Sequence, residues 1–508
     1  MKADLILAGG VVRTLGRGGV KTCTHLAVEG GRVLAAGGAR LMGLRGPRTR
    51  VVALRGGAVM PGFNDAHAHV VYYGLTRFGA DLGPAMDVAG IIERLRVHGR
   101  RLKSGEWQQG MGYRASALAE KRSPHRRELD EATGSRPAFI DERGGHSRVA
   151  NSAALRAAGI TASTPDPPGG RIGHDPDGTP NGLLQEAAMR IVADVQPLPD
   201  RKRRRQAILL AQKLLLSRGI TSVGAAVNRG FADDLFCFER LAMDGELHTR
   251  VNEFLSWELL EAASRLGVQA GFGGDVVRAG PIKVFIDGGA ERVVMRSGGG
   301  MWRTPPDQLK ELVQRASDAG LQVAAHAIGD GALEAMCDAV EAAGARGLRH
   351  RVEHCTISPP DLRRRLARLR MVAVMQPLAV RAPQVAPGVF PDVAREDFAP
   401  HRALARAGVH IAFSSDLPVT PDPNPWAGIR AAVEDETNGI SVLEALRAYT
   451  AGGAYASFEE AVKGALEPGM LADLQVYADD PLARPQADWD RLRPQAVLMG
   501  GVVVSGSL

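Results

Sequence analysis

Leu321-Gln-Val-Ala-Ala-His326-Ala-Ile-Gly-Asp330-Gly331 is a short apolar run that ends on a histidine and turns through glycine into a helical pattern, where Leu333, Met336 and Val340 recur at helical spacing. His354, 28 residues on, closes a second run of the same design, His350-Arg-Val-Glu-His354. That interval is about one strand-helix repeat of a barrel with roughly 30 residues per unit. Outward from this pair, comparable strand runs read at Thr221-Ser-Val-Gly-Ala, Arg250-Val-Asn-Glu-Phe-Leu, Pro281-Ile-Lys-Val-Phe-Ile, Met371-Val-Ala-Val-Met-Gln and His410-Ile-Ala-Phe-Ser-Ser. With the stretch that ends at His69 they make eight. Helical patterns fit between most of them, which predicts the α/β class with a parallel sheet, closed as a (β/α)₈ TIM barrel.

Eight such units need about 250 residues, and the chain has 508. The barrel is assigned to residues 59–467, with the surplus placed as an insertion or lid at about 75–200. The gap between the first two strand runs is far longer than one crossover, and it holds the turn makers Pro165-Asp-Pro-Pro-Gly-Gly and Asp175-Pro-Asp-Gly-Thr-Pro. It also holds one extra strand candidate, Arg136-Pro-Ala-Phe-Ile. Residues 1–58 and 468–508 share a texture of short β runs separated by glycine pairs, so both chain ends read as parts of one small β unit.

Apolar residues make up 45% of the chain, enough for a large core, and nothing in it is of low complexity. The formal charge of +7 raises the question of polyanion binding. The basic residues are scattered, however, and the densest run, Arg201 to Arg205, leads into an amphipathic helix with no interleaved aromatics, so it reads as a solvated first turn. A nucleic-acid partner is therefore not expected. Cys23, Cys237, Cys337 and Cys355 form no closely spaced pair, which suggests a reducing compartment. The N-terminus lacks a secretory pattern and no run approaches the ~18 to 20 apolar residues of a membrane span. A cytoplasmic protein without a membrane partner is expected.

The chemistry-bearing residues fall at the ends of the strand runs. In Asp65-Ala-His67-Ala-His69, two histidines at i and i+2 of an extended strand point the same way and can converge on one ion. His326 and His354 each end a run, and Asp416 closes His410-Ile-Ala-Phe-Ser-Ser-Asp, where a carboxylate can both ligate a metal and take a proton from water. Each residue alone has an ordinary structural explanation. Four histidines that all fall at strand C-termini, the face where barrel active sites form, do not share one. Lys283 lies in the otherwise apolar Gly280-Pro-Ile-Lys-Val-Phe-Ile. An inward lysine there must be paired, neutral or modified. Carbamylation by CO₂ would turn it into a carboxylate able to bridge two cations.

These motifs, with Met60-Pro-Gly-Phe-Asn-Asp-Ala-His-Ala-His, Gly145-His-Ser-Arg-Val-Ala-Asn-Ser, Ile282-Lys-Val-Phe-Ile-Asp-Gly-Gly, Ser414-Ser-Asp-Leu-Pro-Val and Leu466-Glu-Pro-Gly-Met-Leu-Ala-Asp-Leu, resemble the amidohydrolase superfamily nearly end to end. The subgroup is the one that includes N-substituted formamide deformylases. The resemblance implies a composite β-sandwich from both chain ends. It also implies that His67, His69 and Asp416 hold a first metal, that His326 and His354 hold a second, and that carboxylated Lys283 bridges them. His146 would face the site from the insertion and bind substrate or the developing oxyanion. One or two divalent ions are expected, zinc first, with Mn²⁺, Fe²⁺ and Ni²⁺ also compatible with the ligand types. A metal-activated hydroxide would attack the carbonyl of an amide, formamide or cyclic amide, with Asp416 as general base and acid. The partner is a small-molecule substrate, and homodimers are common among such barrels. A deaminase on the same fold and a non-catalytic regulatory homologue are the rival readings. Two departures from the family pattern stand out: Ser414 where a glycine is usual, and Gly288-Gly-Ala-Glu-Arg-Val-Val after Asp287.

Overall fold

A computed structural model describes residues 2–16, 19, 21–227, 232–289, 292–378 and 390–508. Its centre is an eight-stranded parallel sheet: β1 (Phe63–Ala68), β2 (Ile220–Ala225), β3 (Arg250–Ser256), β4 (Val277–Phe285), β5 (Val323–Ala327), β6 (Arg351–His354), β7 (Val372–Met375) and β8 (His410–Phe413). Each strand pairs with the next in chain order. These are the eight runs read from the sequence. The sheet is nearly closed: no ladder joins β8 to β1 among the described residues, but Asp416 N–H donates to the His67 carbonyl (2.9 Å) and His69 N–H to the Leu417 carbonyl (2.8 Å). Those two bonds stitch the seam at the rim where the ligand candidates lie.

Helices pack outside the strands because their apolar stripes match the strands' outward faces. The helix Asp330–Ala343 is typical, with Leu333, Met336 and Val340 fully buried in the core shared with the β strands. Full burial of each such side chain contributes about 1.5–3 kcal/mol. The basic run begins the helix Arg201–Ser217, whose first turn is capped by Asp200 accepting from Arg203 N–H at 2.7 Å. This turn is not wholly solvated as expected. Arg204 is buried and ion-paired with Asp234, while Arg205 is bonded to Asp244 and Glu246.

The run read as one strand through to His69 is two strands. Ala58–Pro61 belongs to a sheet built from both chain ends, antiparallel to Leu474–Tyr477 and parallel to Leu5–Arg13, and only after Gly62 does β1 begin. Gly62 makes the switch possible, since a Cβ there would lie 2.1 Å from Thr221 Oγ1. The end sheet runs Val502–Gly506, Ala496–Met499, Leu474–Tyr477, Ala58–Pro61, Leu5–Arg13, Thr22–Glu29, Arg32–Gly37, with Arg50–Ala53 beside Leu5–Arg13.

Between β1 and β2 the chain forms a third sheet of six strands, in the order Gly170–His174, Pro180–Glu186, Ser147–Ala150, Ala138–Glu142, Gln108–Tyr113, Ala80–Asp81. The extra strand expected near Arg136 is Ala138–Glu142, in the middle of this sheet and not in the barrel. All four cysteines are free, and no helix among the described residues is long and apolar enough to cross a membrane.

Candidate metal centre

Parallel sheets present their ligands at the carboxyl ends of the strands, where the loops begin. At that end a cavity of about 1760 Å³ lies between the barrel rim and the six-stranded sheet, and its lining includes His67, His69, His146, Lys283, His326, His354 and Asp416. Two of these side chains are aimed by unusual backbone: His354 (φ 77°) and Asp416 (φ 55°) occupy the left-handed region just where their strands end. Such a conformation costs about 1–3 kcal/mol in a non-glycine residue and persists where surrounding structure imposes it.

His67, His69 and Asp416 form the tightest group. Asp416 Oδ1 lies 3.5 Å from His67 Nε2 and 3.2 Å from His69 Nε2, and one ligand atom from each of the three falls within a 4.8 Å set. His354 packs against His67 (ring centres 5.6 Å) and against His326 (4.4 Å). His326 in turn pairs in register with Phe285 of β4 and Glu353 of β6. Lys283, 2% exposed, stands two residues before Phe285 with its Nζ 4.6 Å from that ring. The structure thus brings all six ligand candidates, and His146, to one cavity.

The outward nitrogens of three imidazoles are already engaged. His67 Nδ1 meets Glu353 Oε2 at 2.5 Å, His69 Nδ1 meets the Ala226 carbonyl at 3.0 Å, and His354 Nδ1 meets Gln376 Oε1 at 2.8 Å. Bonds of this kind fix ring orientation and tautomer and leave Nε2 as the ligating atom. Glu353, wholly buried, is itself held by Arg351 through bonds of 2.7 and 3.1 Å. Gln376 is held by donating to Ser414 Oγ at 2.9 Å. The departure at Ser414 therefore supports His354 through Gln376.

Against this, four inward polar atoms are buried with no hydrogen-bond partner: His67 Nε2, Lys283 Nζ, His326 Nε2 and Asp416 Oδ1. Leaving one buried polar group unsatisfied costs about 1–3 kcal/mol. Of these, the two imidazole nitrogens and the carboxylate oxygen are atom types that suit a divalent cation, and His67, His69 and Asp416 together could hold one. The protonation states agree. Burial, and then the charge of Lys283, pushes the His67 imidazole down to about 3, and burial likewise lowers His326 and His354, so these rings are neutral and free to ligate near pH 7. Burial opposes ionisation of Asp416, but its contact with His69 and the neighbouring imidazoles outweigh burial and hold the carboxyl below its ordinary range. Burial lowers the Lys283 ammonium to about 8, against the pull of Glu353 and Asp416. A larger fraction of its amine is then neutral, the form that reacts with CO₂.

A sequence profile of the amidohydrolase family matches residues 50–505. The chain belongs to the amidohydrolase family. The putative amidohydrolase YtcJ of Bacillus subtilis (strain 168) is 29% identical over 90% of this chain and 91% of its own length. The N-substituted formamide deformylase of Arthrobacter pascens is 28% identical over 98% of both proteins. In three dimensions the chain is similar to an uncharacterised metal-dependent hydrolase from Pyrococcus horikoshii OT3, with a TM-score of 0.78 and 25% identity over 95% of this chain and 99% of the other.

In this amidohydrolase His146 reaches the cavity from the turn after Ala138–Glu142. Gly145, at φ 72°, closes that turn by donating to the Glu142 carbonyl at 2.9 Å. His146 Nδ1 lies 3.0 Å from both oxygens of Glu186, its ring centre is 5.6 Å from that of His326, and its Cδ2–Nε2 edge lies over Gly289 so closely that a Cβ there would come within 2.5 Å. Glu186 also accepts from Arg292 Nε at 3.0 Å. Burial works against its charge, but His146, Arg303 and Arg292 hold its carboxyl down at about 2. Of the departure after Asp287, Ala290 and Glu291 lie outside the described residues.

Three acidic residues were given no role in the sequence reading: Glu353, Glu186 and Asp287. Asp287 is fully buried, lies 3.5 Å from His326 Nε2, and accepts backbone N–H groups of Val294, Ile328 and Gly329 at 2.9–3.2 Å. Burial raises its carboxyl to about 7 despite those bonds. For Glu353 a signal existed: Arg351 and Glu353, charged at i and i+2 of a four-residue strand, can only face inward together. Asp287 and Glu186 carry no such mark.

Proposed function

We propose that this amidohydrolase is a metal-dependent hydrolase that cleaves a non-peptide C–N bond of an amide, formamide or cyclic amide. The observation that carries the reading is the close group of His67, His69 and Asp416, with buried, unpartnered polar atoms on His67, Asp416, Lys283 and His326 lining the same cavity, while the outward nitrogens of His67, His69 and His354 are tied down. His67, His69 and Asp416 would hold one ion, His326 and His354 a second, and Lys283, carboxylated, would join the two sets. Histidine nitrogen and carboxylate oxygen suit Zn²⁺ and also Mn²⁺, Fe²⁺ or Ni²⁺. When bound, such an ion supplies Lewis-acid polarisation and brings the pKa of water from 15.7 to about 7.

The chain's own residues do the rest. Asp416, ionised and at the rim, accepts the proton of the attacking water and returns it to the leaving nitrogen. Glu353 keeps the His67 ring from turning, and Gln376 does the same for His354. His146, anchored to Glu186, contacts the substrate from the opposite wall. We infer the layout on which this rests to be a (β/α)₈ barrel with the six-stranded sheet as a lid over its mouth and a β-sandwich from residues 1–58 and 468–508, which takes in Ala58–Pro61 as well. The formamide-cleaving relative supports a C–N bond as the target, and the cavity, larger than the ~300–1,000 Å³ of ordinary ligand sites, leaves room for a sizeable substituent.

Metal analysis of cleanly prepared protein, paired with hydrolysis assays on an amide and formamide panel, tests the reading. Asp416→Asn is expected to lower turnover by at least about 100-fold with the fold intact. Lys283→Ala is expected to lose metal together with activity. Full metal content and full rate in Lys283→Ala would remove the bridging role, and ammonia release from nucleobases in place of amide cleavage would favour a deaminase.

A further inference from the structure

Arg303 stands on a fixed platform at the mouth. Its N–H donates to the Ile286 carbonyl at 2.9 Å, Thr304 Oγ1 donates to the Phe285 carbonyl at 2.8 Å, and Trp302 is bridged to Asp287, so the segment lies back across the end of β4. The guanidinium rests on the Phe285 ring, 4.3 Å from its centre, and the same ring packs against His326 with centres 5.5 Å apart. Arg303 and the metal centre are therefore within one small molecule's length of each other, and both line the cavity.

The side chain has charge without hydrogen bonds. Its nearest carboxylate oxygen, Glu186 Oε2, is 3.6 Å away, too far for a hydrogen bond, and no other ion pair reaches it among the described residues. Glu186 is already committed to His146 at 3.0 Å, Arg292 at 3.0 Å and the Gly289 N–H at 3.3 Å. The other acidic neighbour, Asp287, has its oxygens taken by three backbone N–H groups. One carboxylate thus serves two guanidinium groups, and the donors of Arg303, about a quarter exposed, are left facing the cavity. Its nearest carboxylate is at ion-pair but not hydrogen-bond distance, and a planar fork of N–H donors matches a carboxylate in two parallel bonds. With a single uncompensated charge and Glu186 alongside, the site suits a monoanion better than a doubly charged phosphate.

We propose that Arg303 is the specificity-determining residue of this enzyme, receiving a carboxylate that the substrate carries close to the scissile bond; the substrates are then N-acyl or N-formyl amino acids or similar anionic amides. This rests on the hydrolase reading above, and binding is tested apart from turnover. N-methanesulfonyl derivatives of glycine, leucine, phenylalanine and glutamate, which have no carbonyl to hydrolyse at the sulfonylated nitrogen, are titrated calorimetrically into zinc-loaded protein beside their primary carboxamides, with an ammonia assay after each titration to verify that the carboxamides stay intact. At least one acid is expected to bind about 10- to 100-fold more tightly than its amide, the range for hydrogen bonds to a charged group. That preference should fall to within about threefold in Arg303→Gln and return in part in Arg303→Lys. Arg114 lines the same cavity from the six-stranded sheet with its Nε buried and unpartnered. Arg114→Gln should leave the preference within about threefold of the wild type. Equal affinity for acids and amides in the wild type, no binding of either, or an equal collapse in Arg114→Gln would each overturn the assignment. Hydrolysis of the matching N-formyl and N-acetyl compounds by the same preparations reports on the hydrolase reading alone: selective binding without cleavage leaves Arg303 in place and removes the chemistry.

Discussion

Glu353→Gln removes a charge from the heart of the barrel while keeping its volume. The carboxylate it replaces accepts from His67 Nδ1 at 2.5 Å and from Arg351 at 2.7 and 3.1 Å, all in full burial. Two consequences have different sizes and different readouts. Loss of an outer partner to a metal-ligating histidine typically weakens metal affinity by about 10–100-fold, or about 1.4–2.8 kcal/mol. The glutamine's carbonyl oxygen can still serve Arg351, but its NH₂ then confronts the N–H of His67, so the ring loses its anchor. Glu353→Ala goes further and leaves Arg351 buried without a counter-charge, which costs about 3–5 kcal/mol of folding stability. The double variant Arg351→Met/Glu353→Met separates the two effects. Replacing a buried ion pair with apolar groups is often neutral for stability, so its unfolding midpoint should recover most of what Glu353→Ala lost while zinc stays weakly bound. Competition with a chromogenic chelator measures the affinity, and urea unfolding of metal-free protein measures the stability. Wild-type zinc affinity, within threefold, in both Glu353→Gln and the double variant would refute the argument that the His67–Glu353 bond orients the metal centre.

Gly289→Ala would drive a methyl into the His146 ring, so kcat/KM should fall by about 10–100-fold at unchanged metal content; a variant with normal rate would show that His146 need not stay in place. Glu253 is buried with Oε2 unpartnered, and burial, reinforced by Asp234 and opposed by Arg204, raises its carboxyl well above the usual range. The folded state therefore keeps a proton that the unfolded chain releases near pH 4.3, and stability is lost at about 1.4 kcal/mol per pH unit as pH climbs from there toward the folded value. Glu253→Gln lacks that penalty, so its gain in melting temperature over wild type should be small at pH 4.5 and larger at pH 7.5; an equal gain at both would refute the protonated state. Zinc at 1,000 times its Kd should stabilise wild type by about 4 kcal/mol and Lys283→Ala by distinctly less, read as the shift in urea midpoint.

What could be read from the sequence divides along a physical line. A strand that ends on a histidine reports both its period and its chemistry within a few residues, so His67, His69, His326, His354 and Asp416 were legible together with the eight barrel strands. Lys283 was legible because a cation in an apolar strand demands a reason. The six-stranded sheet was not: Gln108–Tyr113 and Gly170–His174 are short, glycine-rich and half-exposed, and β-propensity there is set by cross-strand neighbours that arrive from elsewhere in the chain. The end of the first sheet was misplaced for a related reason, since Ala58 to Ala68 is continuously buried and only the crowding of Thr221 on Gly62 reveals the break.

Function-bearing partners sort in the same way. Glu186, Asp287 and Arg303 act through contacts distant in sequence, Glu186 with Arg303 across 117 residues and Asp287 with His326 across 39, and their own neighbourhoods look like ordinary strand ends and turns. The barrel explains why they matter nonetheless. Its rim brings strand ends together in a ring, so a residue that closes one strand becomes the neighbour of residues that open the loops of the next. Two backbone bonds across the β8–β1 seam then hold Asp416 beside His67 and His69 where no strand ladder does among the described residues. The candidate ligands lie on the barrel strands or within three residues of their ends, whereas Arg303 and His146 arrive on segments outside the barrel strands. On the proposed function, change in those segments would alter which substrate is accepted while His67, His69 and Asp416 stay where they are. Selectivity assays on Arg303 variants should accordingly move substrate preference without moving zinc affinity, and a parallel loss of both would mean that rim and loop are one structural unit.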